Sequence, residues 1–407
     1  MGEAKENDLA KPFFVIYVVW HPSFELGEKV AGTMMQHFRR DLYRNIVGGA
    51  GIPVVFRSVC MPGSDTPISV TPEDSEASAI IALLDDNLCE SQDWVDYLNT
   101  LSLKTGESNK TGFNNLLFPV SFNKATLQRA SLKEQALRWD LWKGDDAERI
   151  TRLISELTYE FCRMLRHHLA QLESPSHKNL QDYLKKVQIF LSHSKHDEDG
   201  IEIATAIRMR IYEGHGLSSF FDVNDIPAGL RFDEVLLEQI RISAMVAIHT
   251  DSYSSREWCR KEIIEAKIWN IPLVVANSIN NMDERGFPYM GNVPVVRLGY
   301  DPTDVSRIDI VISRLLDEVL KDFLWRCQTH EIKKQLPRKA FLIPRPPELI
   351  SLSSIPQGGE QAEVDSKETI LIYPDPPLST EEERLINRVS PNVQLRSLAE
   401  WKAGATR

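Results

Sequence analysis

The chain has 407 residues, 26% of them charged, and a formal net charge of −11, a length that calls for two or three domains rather than one core. An acidic balance without a local basic stripe excludes a phosphate-tracking surface, so no direct nucleic-acid partner is expected. Five cysteines, Cys60, Cys89, Cys162, Cys259 and Cys327, are an odd, scattered set without paired ligand spacing, which predicts reduced thiols, no metal site and a cytoplasmic protein.

The start, Met1 to Asp8, is polar and acidic, unlike the basic and apolar front of a secretory signal. The longest apolar run, Phe13 to Trp20, is too short to cross a bilayer, so a soluble chain without direct membrane contact is expected. Phe13 to Val19 reads as a buried strand, Leu26 to Tyr43 as a helix, Gly48 to Gly51 as a turn and Ile52 to Phe56 as a second strand. Ala79 to Leu84 is a third strand leading into a helix that carries Trp94, and Leu116 to Val120 a fourth. A long amphipathic helix from Asp145 to Leu172 closes this segment, and Ser174-Pro175-Ser176 breaks it.

The order then starts again. Val187 to Leu191 reads as a strand, Gly200 to Tyr212 as a helix, Leu217 to Phe221 as a strand and Phe232 to Ser243 as a helix. Met245 to Ile248 and Pro272 to Ala276 are further strands, and Val305 to Arg326 is the closing helix. Strands alternating with helices predict parallel sheets. The halves also look like copies. Ile154-Ser155-Glu156-Leu157 with Glu160 matches Ile312-Ser313-Arg314-Leu315 with Glu318, and the Trp94 and Trp258 elements correspond at a similar separation of roughly 160 residues, too long for a solenoid repeat.

Past Glu331 the prolines Pro337, Pro344, Pro346, Pro347 and Pro356 and the pair Gly358-Gly359 predict an extended linker. The tail offers a strand at Thr369 to Tyr373, a helix capped by Ser379 with Glu382, and a strand at Val393 to Leu395. About 40 residues do not readily fold alone, so this piece should dock on the rest of the chain or on another copy. The expected organisation is an α/β domain over 1–173, a linker over 174–185, a second α/β domain over 186–330, a Pro-rich linker over 331–368 and a strand-helix-strand segment over 369–407.

Chemistry concentrates in the second domain. After Met245 to Ile248 stands Ser254-Ser255-Arg256-Glu257-Trp258-Cys259-Arg260-Lys261-Glu262. Ser254 with Glu257 fits a capping box, and Trp258 and Glu262 at i and i+4 share a helix face. An aromatic platform beside a carboxylate can hold a sugar or a base and can stabilise positive charge on a reacting sugar. Ser192-His193-Ser194-Lys195-His196 after one strand and Phe220 to Gly229 after the next should converge with it at the carboxyl edge of the sheet, where open α/β folds bind ligands.

Plainer readings stand beside these. Glu262 could be a solvated helix carboxylate, and Trp258 core as readily as platform. Glu257 reads as a cap, Cys259 as a small buried residue, and Glu265, one turn past Glu262, as a decoy. His193 and His196 could be acid–base groups or ordinary histidines after a strand, and Asp222 could be a turn former. His167 and His168 are adjacent on a helix and do not share a face, which argues against a metal there.

In combination these residues resemble the Toll/interleukin-1 receptor (TIR) domain family over about residues 186 to 325. Ile189-Phe190-Leu191-Ser192-His193-Ser194 resembles its opening strand box, and Phe221-Asp222 through Pro227-Ala228-Gly229 its mobile loop. Ser255, Trp258, Cys259 and Glu262 match its Ser-x-x-Trp-Cys-x-x-Glu box. The fold implied is two flavodoxin-like or TIR-like α/β domains with central parallel sheets, the first degenerate and used for assembly or regulation, plus the small tail.

The catalytic branch of that family cleaves NAD between nicotinamide and ribose, so the resemblance implies NAD+ as substrate, no added cofactor, and Glu262 as the catalytic residue. It places Trp258 against the nicotinamide or ribose and Ser192, His193 and Ser194 along the pocket, with Phe221, Asp222 and Ile226 reaching in from the mobile loop. Pro227-Ala228-Gly229 departs from a more common Pro-Gly, which leaves the register of Arg231 and Phe232 open. Lys195 and His196 stand where some members carry phosphate-facing arginines. The first domain has Leu98 four residues after Trp94 and no serine-rich box between Val19 and Phe24.

The implied biology is an NAD-consuming prokaryotic, anti-phage immune effector that is activated by self-association through TIR domains, under an upstream sensor or signalling molecule, with hydrolysis or cyclisation to an ADP-ribose product. Two alternatives are a TIR scaffold without chemistry and a nucleotide N-glycosidase of related fold.

Overall fold

A computed structural model describes residues 11–39, 51–174, 183–214, 218–220, 237, 240, 243–337, 339–353 and 369–404. The first strand, β1 (Phe14–Val19), pairs in parallel with β2 (Val54–Arg57) on one side and β3 (Ala77–Leu84) on the other. β1 and β3 are buried along their whole length, which is why they read as unbroken apolar runs rather than alternating ones: helices cover both faces of a parallel sheet. β4 (Asn115–Ser121) and a short edge strand β5 (Leu137–Arg138) complete the order β2-β1-β3-β4-β5. The connections are α1 (Glu25–Phe38), α2 (Asp86–Glu90), α3 (Gln92–Thr111) and α4 (Lys124–Ala130). α5 (Asp146–Glu173) closes the unit from a capping box between Asp145 and Glu148, which satisfies two of the otherwise orphaned N–H groups at its start.

The second sheet repeats that topology. β6 (Gln188–Ser192), α6 (Glu198–Gly214), β7 (Ser218–Phe220), β8 (Ala244–His249), α7 (Glu257–Ile268), β9 (Leu273–Asn277) and β10 (Val295–Arg297) assemble as β7-β6-β8-β9-β10, all parallel. Both sheets therefore have the flavodoxin-like 2-1-3-4-5 order, with its switch point between the first and third strands. Of the expected helix over Phe232 to Ser243 the described residues are Leu237 and Ile240, both helical, and Ser243, while the turn residues Gly48 to Ala50 lie outside them.

Two expectations need correction at the carboxyl-terminal side. The closing helix α8 (Val305–Gln335) runs on past Arg326, because Trp325, Ile332 and Leu336 have an apolar partner surface on the tail in Ile370, Ile372, Leu398 and Trp401. The stretch read as an extended linker contains β11 (Ala340–Leu342) and α9 (Leu349–Ser353). β11 pairs with β12 (Thr369–Tyr373), which pairs with β13 (Val393–Ser397), so the tail is a three-stranded parallel sheet with α10 (Thr380–Val389) and α11 (Leu398–Lys402). The predicted Ser379–Glu382 capping box of α10 is present.

The chain divides into two units, Met1–Leu184 and Lys185–Arg407, and the tail belongs to the second. A strap of Ile343 to Glu348, stiffened by Pro344, Pro346 and Pro347, ties it there. Arg345 Nη2 donates to the Ile271 carbonyl at 2.8 Å. The nearly enclosed Lys267 ammonium, on α7, donates to Glu348 at 2.8 Å and to the Gly291 carbonyl at 2.7 Å. Burial pulls Lys267 below the ordinary lysine pKa even with Glu348 beside it, so the partner carboxylate is what makes the buried charge tolerable. Glu348→Ala is expected to lower unfolding free energy by about 2–3 kcal/mol, whereas Glu348→Ala combined with Lys267→Met should recover most of that loss. Urea denaturation of the full chain checks both.

Candidate functional site

The carboxyl end of β6 and the amino end of α7 meet at one edge of the second sheet. β6 pairs with β8 at Ser192↔Ala247, so Ser192 ends its strand beneath the segment that leaves β8. That segment is a 3-10 turn over Tyr253–Ser255, followed directly by α7. Ser192 Oγ donates to Glu262 Oε2 at 2.5 Å and lies 2.5 Å from the Tyr253 hydroxyl. Glu262 is only 4% exposed, and Ser192 and Tyr253 are buried with it, so the solvated-carboxylate reading of Glu262 does not hold.

The surrounding wall is pinned by polar contacts. Ser252 Oγ lies 3.1 Å from both Ser194 Oγ and the Asp197 carboxylate, to which it can donate, and the buried Cys259 thiol donates to the His193 carbonyl at 3.6 Å. The cavity measures about 250 Å³ and is lined by His193, Ser194, Lys195, His196, Arg256, Glu257, Trp258, Cys259 and Glu262. The opening-box residues His193 and Ser194 and the helix residues Trp258 and Glu262 are thus brought together, and Ser192 joins them through its bond to Glu262. Phe221, Asp222 and Ile226 lie outside the described residues, as do Arg231 and Phe232.

Two local expectations fail. Ser254 and Glu257 form no capping box: the N-cap of α7 is Arg256, without a side-chain cap. The reason is competition. Ser254 Oγ is turned to His249 and Asp283, Glu257 pairs with Lys261 at 2.8 Å, and the Arg260 guanidinium holds the turn by donating to the Ser254 and Ser255 carbonyls at 2.9 and 2.8 Å.

The second concerns the two tryptophans, which are not one shared structural part. Trp94 is 1% exposed in the first unit's core and Trp258 is 41% exposed, with the Lys261 ammonium 4.7 Å from its ring centroid. Trp94 is the third residue of α3 and Trp258 the second of α7, and one helical position is a rotation of about 100°. Burial gives the correct register: Trp94, Leu98 and Leu101 in α3 correspond to Cys259, Ile263 and Ala266 in α7. The first-unit counterpart of Glu262 is then Tyr97, not Leu98. Burial raises the Tyr97 phenol to about 12 and its hydroxyl donates to the Ile68 carbonyl, so that position has no carboxylate.

Sequence reasoning passed over Tyr253 and Arg256. Tyr253 stands five residues before Trp258 in a serine-rich turn, where no helical period relates it to the site. Arg256, two residues before Trp258, lines the cavity, and its Nε is shielded from solvent without a hydrogen-bond partner among the described residues.

His249, Ser254 and Asp283 form a constellation that resembles a catalytic triad in composition. Ser254 Oγ at 3.1 Å and Asp283 Oδ2 at 3.2 Å both sit on His249 Nε2. A triad needs its serine and its aspartate on opposite ring nitrogens, and Ser254 is fully buried, so this cluster braces the turn. Among the described residues no group of three or more His, Cys, Asp or Glu side chains is placed to hold a metal ion, and no helix is long and apolar enough to cross a membrane.

Comparison with curated proteins gave no match. Among solved structures, a candidate phosphosugar isomerase from Silicibacter pomeroyi DSS-3 aligns at 10% identity and a TM-score of 0.20, over 79% of this chain and 88% of that one; no inference rests on so loose a superposition. The family model described as TIR domain matches residues 189–289. That span runs from β6 through α7 and β9, and so takes in Ser192, Tyr253, Trp258 and Glu262. The second unit of this chain is built on a TIR domain.

Proposed function

We propose that the second unit is an NAD+ glycohydrolase that cleaves the bond between nicotinamide and ribose, with Glu262 as its catalytic residue. The observation that carries this reading is the placement of Glu262: a buried carboxylate, held by a hydroxyl donor, on the wall of a cavity that opens beside an exposed tryptophan. Nicotinamide already bears positive charge in NAD+, so it departs neutral and needs no general acid. The strain on the reaction falls on the ribose, which becomes oxocarbenium-like. A fixed carboxylate stabilises that charge electrostatically and accepts hydrogen bonds from the ribose hydroxyls. Trp258 offers a face for the nicotinamide or the ribose, and Arg256 and Lys195 supply positive charge for the phosphates, with the His196 imidazole beside them on the cavity wall.

At about 250 Å³ the cavity falls below the usual size of ligand pockets, about 300–1,000 Å³. It suits the nicotinamide and ribose rather than a whole dinucleotide, so the adenylate half is held by residues beyond these nine. That fits activation by self-association, in which a second copy completes the site, in an effector under an upstream sensor. Whether the ADP-ribose product is released linear or cyclised depends on that second half of the site. The non-catalytic scaffold uses the same fold without turnover, and an N-glycosidase would act on another base.

Glu262→Ala is expected to reduce nicotinamide release on the order of a thousandfold or more, while Glu265→Ala, whose carboxylate bonds the Trp269 indole on the outer face of α7, stays within about twofold of wild type. Following nicotinamide release from NAD+ and base release from a nucleotide panel checks this, and the absence of release at any protein concentration would leave the scaffold reading. Arg256→Met should raise KM for NAD+ about tenfold with little change in kcat, as loss of a charge-assisted contact to the phosphates predicts. Initial-rate kinetics decides it. Specific activity is also expected to fall on dilution; a value independent of concentration would remove the role assigned to assembly.

A further inference from the structure

We infer that Tyr253 is a positioning residue for Glu262, acting through Ser192: the three side chains form a buried hydroxyl relay, Tyr253 to Ser192 to Glu262, that fixes the orientation of the carboxylate. This rests on the reading of Glu262 as catalytic. Both links are short, 2.5 Å from Tyr253 OH to Ser192 Oγ and 2.5 Å from Ser192 Oγ to Glu262 Oε2. The proton order follows from chemistry. A carboxylate only accepts, so the serine hydroxyl donates to it, and the serine oxygen is then left to accept from the phenol. Burial pushes the Tyr253 phenol well above its ordinary pKa, with Cys259 and Glu262 adding to the rise and the Ser192 bond opposing it. It therefore remains a neutral donor. Tyr253 is not among the residues that line the cavity, and its hydrogen-bond link to Glu262 runs through Ser192.

The first unit shows that the fold does not need this chain. β1 ends on Val19, paired with Ala82 two residues before the end of β3, as β6 ends on Ser192, paired with Ala247 two residues before the end of β8. Val19 thus takes the place of Ser192. Tyr253 is four residues past the end of β8, and Leu88 four past the end of β3. With Tyr97 in the place of Glu262, the three corresponding side chains are Val19 and Leu88, buried in one hydrophobic cluster, and Tyr97, partly buried and packed against it. An apolar filling of the same framework is available, and buried polar networks are costly unless every member is satisfied. The second unit holds a polar one at the spot where the carboxylate meets the cavity.

The test combines kinetics with a readout that does not need turnover. Tyr253→Phe should lower kcat about tenfold with KM within about twofold, and Ser192→Ala should do at least as much. The double variant should be no worse than Ser192→Ala alone, because the hydrogen-bond route from the phenol to Glu262 runs through the serine. Losses that multiply in the double variant, or a Tyr253→Phe chain with wild-type thermal stability and unchanged kcat, would overturn the relay. In parallel, 3-fluorotyrosine placed at position 253 of the full chain gives a fluorine resonance that should move on Glu262→Gln, and this movement should vanish when Ser192→Ala is also present. A movement of full size without the serine, or none with it, refutes the inference whether or not the protein releases nicotinamide. Absence of nicotinamide release from the wild type, with the fluorine coupling intact, would instead count against the glycohydrolase reading alone.

Discussion

The pairing of β6 with β8, Ile189 to Ser192 against Ala244 to Ala247, is the constraint on which the site depends. Side chains alternate across a sheet, so a slip of one residue would exchange every inward and outward position. In the register adopted, Ser192 reaches the α7 face while Phe190 lies in the core cluster with Met245, Tyr253 and Ile263. Parallel pairing also brings the carboxyl ends of β6 and β8 to one edge, so residues 60 to 70 positions apart in sequence become hydrogen-bond partners. The apolar contacts of Phe190 with that cluster set the register, and the polar contact of Ser192 follows from it.

Much of this was legible in the residues. The buried strands announce themselves as β-branched runs, and the parallel sheets follow from their alternation with helices. The Ser-His-Ser and Trp-x-x-x-Glu elements do converge, because topology alone forces loops at the carboxyl edge together. What escaped was of two kinds. Edge strands β5 and β10 are only two and three residues long and partly exposed, so they carry no hydrophobic run to read. The capping box was a valid local pattern defeated by tertiary partners: Ser254 has Asp283 to bond, 29 positions away. Tyr253 was missed for the same reason, since its side-chain partner Ser192 lies 61 positions away and not in any local period.

The tail illustrates how proline content misleads. Pro344, Pro346 and Pro347 signal an extended path, yet the strap bends at Pro344 and Arg345 and its polar residues are anchors rather than linker filling. Arg345 also lies near Asp322, a buried aspartate raised by desolvation and drawn back down by Arg326 and Arg345. Composition does not report that Lys267 and the Ile271 carbonyl wait for Glu348 and Arg345 on the body of the unit.

The two anchoring systems act on the same helix. At its amino end, α7 is held by the Arg260 bonds to the preceding turn and by the Cys259 thiol on the His193 carbonyl. At its carboxyl end it is held by Lys267, enclosed between Glu348 and the Gly291 carbonyl. Glu262 lies between these points, so the backbone beneath it has little freedom to translate or rotate. Its outward neighbours have local partners, Glu257 with Lys261 and Glu265 with the Trp269 indole. The remaining freedom is the glutamate's own side-chain torsions, which a helix backbone leaves open. On the proposed reading, a carboxylate that faces a developing charge without reorganising needs those torsions restrained as well, and the serine hydroxyl, itself bonded to the tyrosine, is a contact that restrains them.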